Sequence, residues 1–137
     1  MGKKTQKAPS ACPCGLGPAY AACCGRYLDD AGAPAPTAEA LMRSRYTAYA
    51  RGDEGYLLAS WHASTRPQSL DLAADAGVVK WLGLDVLATE AGGAADVGGM
   101  VEFIARCKVG GKAERMHERS RFVREDGRWF YVSGELS

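Results

Sequence analysis

Cys12-Pro13-Cys14-Gly15-Leu16-Gly17-Pro18-Ala19-Tyr20-Ala21-Ala22-Cys23-Cys24 holds four of the chain's five cysteines in a C-x-C-x8-C-C spacing. So short a segment cannot bury a core of its own, so something else must order it. A tetrahedral zinc ion held by Cys12, Cys14, Cys23 and Cys24 is the simplest candidate, because thiolate sulfurs suit zinc at about 2.3 Å and four protein ligands make a closed, structural site. Gly15, Gly17 and Pro18 supply a turn between the two ligand pairs, and Gly25 is expected to let the chain leave sharply after Cys24. Metal binding contributes about 10–16 kcal/mol in zinc-finger peptides, enough to fold a segment that is otherwise coil.

Disulfides and a redox dithiol compete with zinc for these residues. Adjacent Cys23 and Cys24 are awkward for one disulfide to join, and adjacent cysteines fit the usual iron–sulfur spacings poorly. Upstream, Met1 to Lys7 is polar and basic with no apolar run behind it. No signal peptide is recognised there, so a cytoplasmic location with reduced thiols is expected. Residues 1–10, with Lys3, Lys4, Lys7 and Pro9, read as a disordered basic tail. The whole chain of 137 residues is long enough for one domain and a small appendage. Its 17 basic and 16 acidic side chains leave a net charge near +1, which selects neither nucleic acid nor membrane as a partner. No apolar run approaches the roughly 18–20 residues of a membrane span.

Downstream, residues 11–27 form the expected knuckle and 28–36, with Gly32, Pro34 and Pro36, the linker to a domain over 37–137. Thr37 follows Pro36 and is placed to cap a helix, with Glu39 near its positive end. Ala38, Leu41, Met42, Arg45 and Tyr49 recur at helical spacing on one face, and Gly52 suits the left-handed terminator after Arg51. Asp53 caps a second helix predicted to reach Ala63, and Pro67 forbids continuation. A further short helical turn is expected over 69–76. Four strands follow: about 81–87, 100–107, 113–124 and 128–134. They are separated by a glycine-rich loop over 91–99, by Gly110-Gly111, and by Glu125-Asp126-Gly127, a type I′-like signal. Helices first and an antiparallel meander after them make an α+β domain with helices packed on one sheet face.

Cys12-Pro13-Cys14-Gly15-Leu16-Gly17 with Tyr20 and Cys23-Cys24-Gly25 resembles the SEC-C motif, a small zinc module also found at the C-terminus of the SecA translocation ATPase. Leu16 stands where that module more often carries serine; it is not a ligand position. Residues Thr37 to Tyr49, then Trp61-His62-Ala63-Ser64-Thr65-Arg66-Pro67, His117-Glu118-Arg119-Ser120-Arg121-Phe122 and Gly127-Arg128-Trp129 with Tyr131 continue a pattern similar to the bacterial YchJ family. The resemblance covers nearly the whole chain. It implies a nuclear-transport-factor-2-like cone, a bent sheet wrapped around the long helix, preceded by a zinc site. It implies no assigned activity.

Arg45 is the most informative side chain outside the knuckle, because a guanidinium in an apolar stripe must find an acceptor. Glu118 shares the more apolar face of its strand with Met116, Ser120 and Phe122 and is the expected partner; Glu102 is the second choice. Functionally, Arg45 binds an anion that Glu118 orients or deprotonates; architecturally, the pair ties helix to sheet. His62 is either a general base or a histidine bonding a free carbonyl at a helix end. His117 has the opposite strand parity to Glu118, which argues against a dyad between them. Ser64 and Ser120 lack a nucleophile-elbow context. Trp81, Trp129, Tyr131, Tyr46 and Tyr49 serve a small-molecule pocket or simply the core, and Cys107 is a small buried hydrophobe. Arg115, Arg119 and Arg121 beside His117, with Arg106 and Lys108, form either a patch for RNA phosphates or a solvated face that blocks strand aggregation.

Three functions follow. The favoured one is a zinc-binding protein whose knuckle contacts a protein partner, or the ribosome, while the cone acts as scaffold or small-ligand receptor. The second is a lyase- or isomerase-type enzyme using Glu118, His62 and Arg45 in the cavity; fold alone does not support it. The third is association with RNA through the basic strand face and Lys3, Lys4 and Lys7. A monomer or a homodimer is expected, without membrane contact.

Overall fold

In the computed structural model, residues 11–30, 33–72 and 77–137 are described. The basic tail expected over 1–10, Gly32 of the linker and residues 73–76 of the expected helical turn lie outside the described residues. The order is a 3-10 turn Tyr20–Ala22, helices α1 (Gly25–Leu28), α2 (Ala38–Arg51) and α3 (Glu54–Ala59), then strands β1 (Val79–Ala91), β2 (Gly98–Val109), β3 (Lys112–Glu125) and β4 (Arg128–Leu136).

Helix α2 begins and ends for the reasons its sequence suggests. The Thr37 hydroxyl accepts from the Ala40 N–H at 3.0 Å, and Gly52 adopts φ 74° while its N–H closes the last turn. Asp53 Oδ1 likewise accepts from the Tyr56 N–H at 3.1 Å and starts α3. That helix stops at Ala59, short of the expected Ala63. Trp61 instead makes a parallel bridge with Tyr131 of β4: Tyr131 N–H donates to the Ser60 carbonyl at 2.9 Å and His62 N–H to the Tyr131 carbonyl at 2.7 Å. The backbone groups that another helical turn would have consumed are taken by the sheet. Of the segment expected to form a turn over 69–76, Leu70 and Leu72 donate their N–H groups to the Glu54 carboxylate at 3.1 and 3.0 Å.

The four strands form one antiparallel sheet in sequence order, with Trp81 opposite Cys107, Phe103 opposite Glu118 and Ser120 opposite Gly134. The tight hairpins take two consecutive positive φ angles, 57° and 86° at Gly110-Gly111 and 52° and 79° at Asp126-Gly127, as type I′ turns require. Irregular register at Trp81/Gly83 and Val86/Ala88 in β1, and in β4 where Val132 is skipped between the partners of Arg121 and Phe122, marks bulges, which bend a sheet. The concave face presents Leu84, Phe103, Ala105, Phe122 and Trp129 to Leu41, Met42 and Tyr46 of α2, all in one buried cluster.

The back of α2 is buried as well. Ser44, Thr47 and Ala48 are fully covered, and Cys12, Cys14, Cys23, Cys24 and Tyr27 belong to the same buried cluster as the sheet contacts. The hairpin joining β1 to β2 is tied to the start of α2 by the Ala38 N–H, which donates to the Gly92 carbonyl at 2.9 Å. A Cβ at Gly99 would fall 2.5 Å from Gly92 Cα and 2.8 Å from its nitrogen, so the two glycines permit a close approach of backbone. Gly99→Ala is expected to cost about 1–3 kcal/mol through overpacking, measured as a lower urea midpoint at unchanged m-value.

Candidate functional site

The knuckle closes by backbone bonds. Cys12 N–H donates to the Pro18 carbonyl at 3.0 Å, Gly15 N–H returns to the Cys12 carbonyl at 3.1 Å, and positive φ angles at Gly15 (79°) and Gly17 (124°) make the turn. The 3-10 turn carries Tyr20 to Cys23, whose N–H bonds the Tyr20 carbonyl at 3.0 Å, and α1 follows directly. Gly25 is needed for a reason different from a sharp exit. A Cβ there would meet the Tyr20 carbonyl oxygen at 2.7 Å and its ring at 2.9 Å, so glycine permits the close packing of Tyr20 on α1.

The ligand atoms of Cys12, Cys14, Cys23 and Cys24 lie within 4.8 Å of one another, and all four residues are buried. Cys14 Sγ and Cys23 Sγ are 3.6 Å apart, far beyond the roughly 2.05 Å of a disulfide; all five cysteines of the chain are free thiols. Sulfurs at about 2.3 Å from a tetrahedral centre stand about 3.8 Å from each other, so this cluster has the dimensions of a four-thiolate metal site. Hydrogen bonding from Cys24 holds the Cys14 thiol well below its ordinary range, at about 5, assisted by the Leu16 N–H. The same bond pushes Cys24 up, and burial raises Cys23 to about 11. The Cys14 thiol thus favours the anion, while Cys23 and Cys24 beside it resist ionisation.

Two residues fasten this cluster to α2. Cys12 Sγ lies 3.5 Å from Thr47 Oγ1, and Arg43 Nη1 donates to the Cys14 carbonyl at 3.0 Å while its Nε bonds Glu39 at 2.9 Å. On the other side, Arg26 Nε donates to the Cys23 carbonyl at 2.8 Å. Thr47 and Arg43 were not anticipated from the sequence. Ser44, Thr47 and Ala48, small residues at i, i+3 and i+4, are the pattern that marks a second packed helix face.

The front of α2 roofs a cavity of about 250 Å³ against the concave sheet, lined by Arg45, Tyr49, Trp81, Glu118, Ser120 and Tyr131 among others. Arg45 and Glu118 both reach it, but they do not form the expected ion pair. Arg45 Nη1 donates to the Leu57 carbonyl at 2.8 Å and to Ser60 Oγ at 2.7 Å, with its guanidinium 4.5 Å from the Tyr131 ring centre and 4.9 Å from that of Trp61. The shortened α3 explains the difference: its free carbonyls and Ser60 lie beside the helix and take the cation first. Burial lowers the Arg45 pKa, and nearby tyrosines and Glu118 only partly oppose that. Glu118 instead accepts from the Ser120 hydroxyl, and its side chain lies over Gly134, where any Cβ would collide with the carboxylate. Ser120 and Gly134 were not assigned these roles from the sequence, and no local signal marks them, since they meet only through strand pairing.

Glu102, the second candidate for Arg45, is on the outer face, where its Oε2 is 2.6 Å from His117 Nε2. His62 is outside the cavity too. Trp61 turns inward onto Tyr131, ring centres 4.9 Å apart, so its neighbour faces out. There His62 Nε2 lies 2.9 Å from Glu125 Oε2, and Nδ1 lies 2.7 Å from Ser64 Oγ while accepting the Ser64 N–H. On the outer sheet face Arg106 pairs with Asp85 and Arg119 with Glu90, so carboxylates are interleaved with the cations there.

Burial raises Tyr131 to about 12, with Glu118 adding to the shift. The neutral phenol is favoured in the folded state, so this contribution is complete below the ordinary tyrosine value near 10 and is lost as pH rises toward 12. Stability is expected to fall between about pH 10 and 12, and the fall should be shallower in Tyr131→Phe, read by urea unfolding at each pH.

Residues 37–134 match the family described as YchJ, middle NTF2-like domain. A UPF0225 protein of Chromobacterium violaceum is 68% identical over 132 residues, covering 96% of this chain and 97% of its own length. A UPF0225 protein of Bordetella parapertussis is 48% identical, with 98% of both chains covered. The solution structure of a SEC-C motif containing protein from Rhodopseudomonas palustris superposes with a TM-score of 0.79 at 38% identity, over 92% of this chain and 98% of that one. A crystal structure of a SEC-C motif containing protein from Psychrobacter arcticus gives a TM-score of 0.74 at 27% identity, over 92% and 82%. With its α+β NTF2-like architecture and its four-cysteine cluster, the chain belongs to the YchJ family.

Proposed function

We propose that this protein is a zinc-stapled small-ligand receptor: the ion is bound by Cys12, Cys14, Cys23 and Cys24, and the ligand by the cavity on the opposite side of α2. The observation that carries the reading is the burial of one helix between the two, sulfurs behind and cavity in front. Four thiolates suit zinc. The net negative charge they leave on a divalent ion is offset by Arg43 and Arg26, each bonded to the carbonyl of a ligand cysteine. When bound, the ion supplies no chemistry beyond cross-linking, since the protein fills every ligand position.

A receptor accounts for the cavity better than a lyase or isomerase, because His62 lies outside it and Glu118 stands there without a second titrating base. Protein contact remains a role for the knuckle's outer turn, Gly15 to Pro18, where Leu16 is 53% exposed while the ligands face inward. RNA contact through the outer sheet face is less favoured, since carboxylates neutralise part of its cationic run.

Elemental analysis of protein purified without chelator is expected to return one zinc per chain. Removing it should lower stability in a single cooperative step, with far-UV circular dichroism and tryptophan fluorescence changing together, because sulfurs and sheet share one buried cluster. Absence of stoichiometric zinc, or cysteines isolated as disulfides, would sink the metal half of the reading. For the receptor half, toluene should shift the methyl resonances of Met42 and Met116, both in the cavity wall, in a saturable way.

A further inference from the structure

The receptor reading leaves open what the cavity takes, and its charges narrow the answer. Arg45 is 6% exposed, and within the described residues only its Nη1 has hydrogen-bond acceptors, both of them neutral. A guanidinium carries five N–H donors, so its remaining edge is a buried cation without a carboxylate, an arrangement that is unfavourable unless something completes it. Glu118, on the sheet side of the same cavity, accepts the Ser120 hydroxyl. A carboxylate has about four acceptor sites, so it keeps capacity for a further donor. The two opposite charges therefore share one aromatic-walled space without neutralising each other directly. Tyr49 and Tyr131 stand where both charges act on them.

We infer that the cavity binds a free α-amino acid with an apolar side chain, its carboxylate on the unpartnered edge of Arg45, its ammonium on Glu118, and its side chain among Trp81, Phe103, Met42 and Met116. A plain carboxylate meets repulsion from Glu118, and a plain amine meets it from Arg45; only a zwitterion answers both. A volume of about 250 Å³ is below the roughly 300–1,000 Å³ of drug-sized pockets and suits a ligand of that size. Gly134 keeps the Glu118 carboxylate over the sheet, where any larger residue would displace it.

The inference rests on the receptor reading, and the test separates the two. L-Phenylalanine, L-leucine, phenylacetate, phenethylamine and toluene are titrated separately against the zinc-loaded full chain, following the Met42 and Met116 methyl resonances. At least one of the two amino acids should bind, at least about tenfold more tightly than phenylacetate or phenethylamine. Glu118→Gln should weaken that binding about ten- to hundredfold, the loss of one charge-assisted contact, while toluene binding stays unchanged and shows that the cavity is intact. If either singly charged analogue binds as tightly as the amino acids, or the Glu118→Gln protein keeps its amino-acid affinity, the zwitterion assignment is wrong. Toluene binding without amino-acid binding overturns the assignment and leaves the receptor standing. Failure of all five probes to move the methyl resonances overturns both.

Discussion

Cys12 Sγ sits 3.5 Å from the Thr47 hydroxyl, on the side of α2 that faces away from the sheet, and the arrangement of the molecule depends on that seam. A helix of 14 residues covered on one face only would lean on a bent four-stranded sheet with its back to water. Here the back is sealed by an N-terminal segment that holds no apolar core of its own and is shaped by its sulfurs. The consequence is physical continuity between the four-cysteine cluster and the cavity. Thr47 meets Cys12 and Arg43 holds the Cys14 carbonyl, while Met42, Arg45, Tyr46 and Tyr49 of the same helix line the space in front.

The second constraint is the buried guanidinium. Arg45 enters the core between Trp61 and Tyr131, and its first two acceptors come from the end of α3 rather than from an acid on the sheet. The early end of α3, where β4 takes over its backbone groups, supplies those acceptors, bridges Trp61 to β4 and sends His62 outward to Glu125. It also frees Glu118 to remain a charged wall of the cavity. A neutral anchoring of a cation thus leaves Arg45 and Glu118 lining one cavity without a direct ion pair between them.

The outer sheet face follows another rule. Arg106 with Asp85 and His117 with Glu102 pair across neighbouring strands, and Arg119 of β3 reaches over β2 to Glu90 of β1, so opposite charges are interleaved on one sheet face. A cationic run seen along one strand, Arg115 to Arg121, loses much of its single-sign character once adjacent strands are laid beside it.

Local chemistry was legible along the chain. The cysteine spacing, the Thr37 and Asp53 caps, the Gly52 terminator, the two glycine-bearing hairpins and the inward face of β3 all depend on residues near one another in sequence, and each was readable for that reason. The Arg45 stripe was legible too, as a charge that had to be buried. What it would bond was not, because Leu57, Ser60 and Glu118 are all within reach of a long side chain and only packing ranks them. The true end of α3, the placement of His62, the cradle of Gly134 under Glu118 and the second buried face of α2 share that character. Sequence by itself determined the long helix with its caps, the four strands with their turns, and the stripe that carries Arg45 out of water. Tertiary structure alone decided which partners they meet, because those partners are brought together by strand register and by a knuckle folding back on the helix, distances that no local pattern encodes.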